Sequence, residues 1–401
     1  MDPRFLHTAR PSTGDRTPPA RPRRRMPVGP VPASGAWRQG DPVGRRHFAE
    51  LGPLHLEAGG RLPEVRLAYE TWGTLNARGD NAILIEHALT GDSHVAGPEG
   101  NGHPTAGWWA DLVGPGLAID TNRHFVVAAN VLGGCQGSTG PSSPAPDGSP
   151  WGSRFPYVTV RDQVAAEIEL TDRLGIGSWK AIIGASMGGH RVLEWAATAP
   201  ERVDSIIPIA TCAQTSGDQI AWAHAQLGAI RADPKYRGGD YYDAEDDDGP
   251  HRGLGLARQI AHTTYRSAEE LDQRFGRIPQ GGENPLGGGG RFAVQSYLDH
   301  HAGKLCHRFD ANSYVVLTES MLTHDLGRDR GGVASALADI QARTLSIAVS
   351  SDRLFLPSQS ARIAESVPNA ELRTIRTPHG HDGFLVESDQ VGAILSEFLA
   401  S

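Results

Sequence analysis

The chain has 401 residues, of which 39% are hydrophobic and 21% charged, so it can bury a large core and is not a disordered protein. A formal net charge of −8 argues against nucleic acid as the main partner. No run of about 18 apolar residues is present, which argues against a membrane-spanning helix. The three cysteines are widely spaced and suit a reducing cytosol, so we predict a cytoplasmic protein with no membrane partner.

The N-terminal 41 residues are predicted to form a disordered, basic, Pro/Arg-rich tail. Residues 1–25 contain seven arginines against Asp2 and Asp15, a net charge of +5. No apolar region follows Arg23–Arg25, so a secretory or twin-arginine signal is not expected. Two alternatives stay open, a basic arm or targeting segment and translation that begins at Met26. Removal of residues 1–25 is expected to leave activity intact.

From residue 42 onward, short apolar runs typical of buried strands alternate with amphipathic helices. The predicted strands are 65–69, 82–85, 125–129, 180–184 and 205–211, and the predicted helices are 160–174 and 188–199. Alternation of this kind indicates a mostly parallel α/β sheet.

Between residues 213 and 335 the alternation stops, and the chain becomes polar and helical. It then returns with strands 344–349 and 372–375 and helices 358–366 and 388–399. We therefore predict an α/β core in two parts, residues 42–212 and 336–401, with a helical lid inserted at 213–335. Such insertions usually lie over the ends of the strands, where sites are found.

A G-x-S-x-G motif, Gly184-Ala185-Ser186-Met187-Gly188, follows the strand KAII and opens a helix. A nucleophile elbow needs this strand–turn–helix context, because a sharp turn lifts the serine Oγ above the sheet edge. Ser186 is thus the candidate nucleophile. The alternative is a glycine-rich turn with no chemistry.

A serine nucleophile needs a base and an acid that orients the base. On this fold the acid precedes the histidine in the chain. Asp352 follows the strand at 344–349 and is the candidate acid. The base is His381 or His379, which share one loop, and spacing alone does not choose between them. We expect the pKa of the base to lie near or below that of free imidazole.

Two backbone amides must stabilise the oxyanion of the tetrahedral intermediate. The residue after the nucleophile, Met187, should supply one amide. Leu89, or its neighbour in the loop 87–91, should supply the other. A second glycine-rich loop, 133–141, lacks the P-loop lysine and is interpreted as a pocket-lining loop. The 17 histidines form no metal-binding spacing, so no metal is predicted.

Together these motifs resemble the homoserine O-acetyltransferases of methionine biosynthesis. The matching stretches include HALTGDSH (87–94), ANVLGGCQGSTGPSS (129–143), GASMGGHRVLEWA (184–196), LARQIAHTTYRS (256–267), RFDANSYVVLT (308–318) and GHDGFLVE (380–387). The resemblance runs from about residue 45 to the C-terminus. It implies an α/β-hydrolase core with a helical lid and a ping-pong acyl transfer. In that reaction Ser186 takes the acetyl group from acetyl-CoA and passes it to the hydroxyl of L-homoserine.

The resemblance also implies roles for individual residues. It places the catalytic histidine in GHD, which favours His381. It suggests that Arg258 and Asp382 bind the carboxylate and the ammonium of the amino acid. Thr90 and Tyr265 would line the same pocket. It further implies a homodimer formed through the lid and no permanently bound cofactor, with acetyl-CoA as co-substrate.

The sequence departs from the family pattern at Ala185, His190 and Pro378-His379. No catalytic group is lost, but pocket walls decide acyl and acceptor preference, so a succinyl donor and a serine acceptor remain alternatives. A carboxylesterase, with water as acceptor, is a second alternative because the same triad serves both outcomes. A non-catalytic scaffold that only binds is a third.

Overall fold

A computed structural model describes residues 29–286 and 289–400; most of the predicted basic tail, residues 1–28, lies outside them. The strands are β1 (His47–His55), β2 (Arg61–Trp72), β3 (Ala82–Glu86), β4 (Val113–Gly114), β5 (Ile119–Asp120), β6 (Phe125–Ala129), β7 (Ala181–Ala185), β8 (Ser205–Ile209), β9 (Arg343–Val349) and β10 (Ala370–Ile375).

The helices divide between those that flank the sheet and those inserted after β8. They are α1 (Val160–Arg173), α2 (Met187–Thr198), α3 (Gly217–Arg231), α4 (His251–Tyr265), α5 (Ala268–Arg274), α6 (Ala293–Cys306), α7 (Ala311–Leu322), α8 (Val333–Ala338), α9 (Pro357–Ser366), α10 (Gly383–Val386) and α11 (Ser388–Ala400). None of the described helices is long and apolar enough to span a bilayer.

The central sheet has the strand order β1-β2-β6-β3-β7-β8-β9-β10. Pairing is parallel from β6 through β10, and β1 and β2 add an antiparallel edge. The prediction of a mostly parallel α/β fold is confirmed. Strand β1 was not predicted, because register shifts on both sides of Gly52 break its alternation of buried and exposed residues.

Side chains that alternate along the central strands fill two apolar layers, one on each face of the sheet. Ile83 and Ile85 of β3 lie in one layer with Ile183. Leu84 lies in the other layer with Ile182. Both faces are therefore covered, which explains why these strands read as continuous apolar runs rather than alternating ones.

Helices α3 to α7 lie between β8 and β9. An apolar cluster that includes Leu227, Leu254 and Leu305 joins this region to Leu89 and Met187 of the core. Helix α8 instead packs into the layer beneath α2, through Ala336 and Leu337 among others. The predicted lid boundary at residue 335 thus falls inside a helix that packs on the core.

Residues 33–37 differ from the predicted disordered tail. This segment, here called the strap, lies between the lid and the loop 133–141. The Ser34 Oγ donates to Asp310 at 2.7 Å, and the Trp37 amide donates to the Cys135 carbonyl at 2.9 Å. Ala33 and Ala36 are buried. The strap has no apolar periodicity, but hydrogen bonds to distant residues order it, which local pattern does not reveal.

Candidate active site

Ser186 occupies the sharp turn between β7 and α2, with φ 56° and ψ −122°. A positive φ is costly for a residue with a Cβ and persists only where the surroundings impose it. The flanking glycines make the turn possible. A Cβ on Gly184 would lie 2.7 Å from the backbone of Gly188, and a Cβ on Gly188 would overlap the carbonyl oxygen of Glu86. The turn has the geometry of a nucleophile elbow.

The structure pairs His381 with Asp352. The His381 Nδ1 atom lies 2.6 Å from the Asp352 Oδ2 atom, and both side chains are buried. Because a carboxylate only accepts, Nδ1 carries the hydrogen and Nε2 is left as the basic nitrogen. The other oxygen of Asp352 accepts from the amides of Leu354 and Phe355 at 2.8 and 2.9 Å, which fixes the carboxylate.

His379 lies elsewhere. Its ring is 39% exposed and faces the carboxylates of Glu270 at 3.5 Å and Glu387 at 3.8 Å. The geometry therefore favours His381 for the role of base. Burial opposes a charge on His381, but the charge and hydrogen bond of Asp352, with a contribution from Asp382, outweigh it and raise the pKa of His381. This corrects the expectation of a pKa near or below that of free imidazole.

Ser186 opens into a small cavity of about 50 Å³. Its lining is Leu89, Ser186, His190, Thr215, Gln219, Trp222, Ala223, Gln226, Tyr265, Thr318, Met321, Leu322, Leu354 and Phe355. Two lining rings also contact the His381 ring, Phe355 at 5.2 Å and Tyr265 at 5.8 Å between centroids. The candidate nucleophile and the candidate base thus share a wall. We call this space the acyl cavity below.

The predicted oxyanion residues lie beside Ser186. Leu89 lines the acyl cavity, and Met187 is the first residue of α2. Within the described ranges, neither backbone amide donates to another backbone group. Unused amides next to a nucleophile, one of them at a helix N-terminus, suit a developing negative charge.

A buried ionic cluster contacts the loop 87–91 and was missed from sequence. Arg191 forms an ion pair with Glu86 at 2.8 Å, and it donates hydrogen bonds to Glu167 at 2.9 Å and to the carbonyl of His87 at 2.7 Å. Arg191 and Glu86 are fully buried. Burial, opposed by Arg191 and assisted by Glu167, raises the pKa of Glu86 well above its usual range. The sequence did contain a signal for this cluster, since its three charged residues occupy otherwise apolar faces of a strand and two helices.

Of the four predicted substrate residues, only Tyr265 lines the acyl cavity, and the four do not all touch. Arg258 donates to the Thr90 Oγ1 at 3.2 Å, and its guanidinium lies 5.4 Å from the centre of the Tyr265 ring. Asp382 instead pairs with Arg266 at 3.1 Å. An ammonium group that binds Asp382 would therefore meet a carboxylate that already has a cationic partner.

A second cavity of about 380 Å³ adjoins the elbow through Ala185. Arg258, Arg308, Lys304 and Thr90 are among its lining residues, together with Asp92, Asp111, Trp108 and Phe384. We call it the outer cavity. Its size and polar lining suit a substrate larger than an acetyl group.

The parallel sheet, the serine elbow and the paired aspartate and histidine define an α/β-hydrolase-fold protein, and a family model described as alpha/beta hydrolase fold matches residues 81–388. A homoserine O-acetyltransferase of Thermobifida fusca is 62% identical over 373 residues, which cover 92% of this chain and 98% of that protein. The chain belongs to the homoserine O-acetyltransferase family.

Solved structures of two kinds resemble this one. A homoserine O-acetyltransferase from Bacillus anthracis has a TM-score of 0.81 at 27% identity, covering 89% of this chain and 97% of its own. Esterase E22 has the same TM-score and identity, covering 88% of this chain and 99% of its own. The fold is therefore common to acetyltransferases and esterases.

Proposed function

We propose that this protein transfers an acetyl group from acetyl-CoA to the hydroxyl of L-homoserine, giving O-acetyl-L-homoserine and CoA, in methionine biosynthesis. The observation that carries the proposal is the acyl cavity, in which Ser186 shares walls with the His381–Asp352 pair. Membership of the family supports the choice of acceptor.

In the first half-reaction, the Ser186 Oγ attacks the thioester carbonyl while the His381 Nε2 accepts the hydroxyl proton. Asp352 holds the imidazole in the required tautomer and stabilises the imidazolium that forms. The amides of Leu89 and Met187 stabilise the oxyanion. The intermediate collapses with loss of the CoA thiolate, which takes the proton from His381, and acetyl-Ser186 remains.

In the second half-reaction, His381 accepts the proton of the homoserine hydroxyl, whose oxygen attacks acetyl-Ser186. Collapse returns the proton to Ser186 and releases the ester. Arg258 would bind the carboxylate of homoserine and Asp382 its ammonium, with Thr90 and Tyr265 beside them. Asp382 exchanges part of its ion pair with Arg266 for the substrate.

The lining of the acyl cavity favours acetyl over succinyl. A succinyl group would bring a carboxylate into it. Among the described residues that line the cavity there is no arginine or lysine to receive it.

A matrix of acetyl-CoA and succinyl-CoA against homoserine and serine, read as kcat/KM for CoA release, tests the proposal. Acetyl-CoA with homoserine should be the best pair. Ser186→Ala should lower turnover at least about 10³-fold and leave the fold intact. Turnover close to wild type in that variant would instead favour a scaffold that only binds.

A carboxylesterase is the second candidate, because esterase E22 matches the structure as well as the acetyltransferase from Bacillus anthracis does. The two functions differ in the second half-reaction. A transferase releases CoA faster when homoserine is present. Equal rates with and without homoserine would favour the esterase.

We further propose that the enzyme acts in the cytoplasm as a homodimer that forms through the lid. A groove lined by α3, α4 and α6 supports the dimer, and it includes Leu256, which is 49% exposed. Light scattering after size exclusion measures the mass directly, and a Leu256→Asp variant should shift it towards the monomer. We also propose the division into core 42–212, lid 213–335 and core 336–401. Because α8 packs on the core, the lid would end just before α8 rather than at residue 335.

A further inference from the structure

Arg308 lies in the short connection between α6 and α7, at the base of the lid. Its Nη1 atom donates to the carbonyl oxygen of Thr90 at 2.8 Å. Its own carbonyl accepts from the Gln136 side chain at 2.8 Å, which fixes the backbone. Nothing in the sequence pattern gave this arginine a role.

A second arginine reaches the same residue. Arg258, on α4, donates to the side-chain oxygen of Thr90, while Arg308 donates to its backbone oxygen. Burial lowers the pKa of Arg308; Asp92 opposes this effect and the charge of Arg258 adds to it. The two guanidinium groups therefore converge on Thr90, one at its hydroxyl and the other at its carbonyl.

Within the described residues, no carboxylate lies within 4.0 Å of either guanidinium, since neither forms a salt bridge. Asp92 lines the same cavity, as does Lys304. The Arg258 Nε atom is buried and has no hydrogen-bond partner. An arginine fork carries five donors, and one hydrogen bond to Thr90 uses only part of that capacity. Paired arginines with unused donors favour a bound carboxylate or phosphate.

We propose that Arg308 and Arg258 together bind the α-carboxylate of the amino-acid acceptor, with Thr90 as the residue that holds the two guanidinium groups side by side. This assignment rests on the proposed function and deepens it. Both arginines line the outer cavity, which reaches the elbow at Ala185. Ser186 follows Ala185 in the chain, so a carboxylate bound there would lie in the cavity that borders the elbow.

An acceptor without the carboxylate separates this role from a purely structural one. Homoserine and 3-aminopropan-1-ol present the same hydroxyl and ammonium groups, and only homoserine has a carboxylate. In wild type, homoserine should be strongly preferred. In Arg308→Ala, kcat/KM for homoserine should fall about 10- to 100-fold, mainly through KM, because a hydrogen bond to a charged group is lost. The kcat/KM of the same variant for 3-aminopropan-1-ol should change less than about threefold.

The kcat/KM of Arg308→Lys for homoserine should lie between the values of wild type and Arg308→Ala, since lysine keeps the charge but not the planar guanidinium. The lysine variant also replaces the alanine variant if the latter folds poorly. Arg362→Ala, an exposed arginine of α9, is the matched control. The acylation burst with p-nitrophenyl acetate is measured in parallel, because it reports on the loop 87–91 without the acceptor. Equal losses with both acceptors, together with a slower burst, would mean that Arg308 only positions the oxyanion loop and would overturn the assignment, as would no loss at all. Wild type without homoserine-dependent CoA release would overturn the proposed function itself.

Discussion

Replacing Asp352 by Asn tests the pairing of acid and base with little change in shape. In the structure one carboxylate oxygen accepts from the amides of Leu354 and Phe355, and the other accepts from His381. The asparagine carbonyl would keep the two amides, which directs its NH₂ group at the His381 Nδ1. A donor there forces Nδ1 to accept, so the ring hydrogen moves to Nε2. That tautomer cannot take the proton of Ser186.

The expected loss in kcat is on the order of 10³- to 10⁴-fold, the size found when a triad carboxylate is replaced in this way. This corresponds to about 4 to 5.5 kcal/mol of barrier. Thermal stability should change far less, because the two backbone hydrogen bonds remain. Asp339→Asn, at an exposed site after α8, removes the same charge outside the active site and should behave like wild type.

The pH profile gives a second, independent readout. A base must be neutral, so activity falls as pH drops through the pKa of His381. Asp352 raises that pKa, which places the acid limb of wild type above about 6.5, the pKa of unperturbed imidazole. In Asp352→Asn the charge that raises the pKa of His381 is lost, while burial, which lowers that pKa, remains. The acid limb of the pH profile should therefore move to lower pH. The reasoning is refuted if kcat stays within tenfold of wild type, or if the limb moves upward.

Three further predictions concern the elbow, the buried ions and the acyl cavity. Gly188→Ala should destabilise the protein by at least about 2 kcal/mol in urea unfolding, because its Cβ has no room, whereas Gly217→Ala, in open space at the start of α3, should not. Arg191→Met should cost about 3 to 5 kcal/mol, since it leaves buried carboxylates without their cation; a cost below 1 kcal/mol would contradict this. Trp222→Ala should raise kcat/KM for butyryl-CoA relative to acetyl-CoA severalfold, and an unchanged ratio would show that this wall does not limit acyl length.

The regular parts of the fold were predictable from local pattern. Buried parallel strands such as β3 and β7 give continuous apolar runs, and α1 begins at a capping box formed by Thr159 and Asp162. Strand β1 was not predicted because bulges break its alternation of buried and exposed residues. The strap was not predicted to be ordered because the hydrogen bonds that hold it reach residues far away in the sequence.

For the site, spacing alone found the elbow and the candidate acid, because α/β-hydrolase folds place these groups at fixed points of the topology. It could not choose between His379 and His381, which differ in the structure by whether the ring faces Asp352 or glutamates. The contacts of Arg308 with Thr90 and of Asp382 with Arg266 join segments more than 100 residues apart, so no local pattern encodes them.

The strap has a consequence for how reactants enter and leave. Residues 33–37 join the lid at Phe309 and Asp310 to the core at Cys135, with hydrogen bonds on both sides. A lid that swung open as a unit would have to break these bonds and expose Ala33 and Ala36. We therefore expect CoA and homoserine to enter and leave through the outer cavity, which is already open, while the lid stays in place. Lid motion should then not limit the rate of turnover.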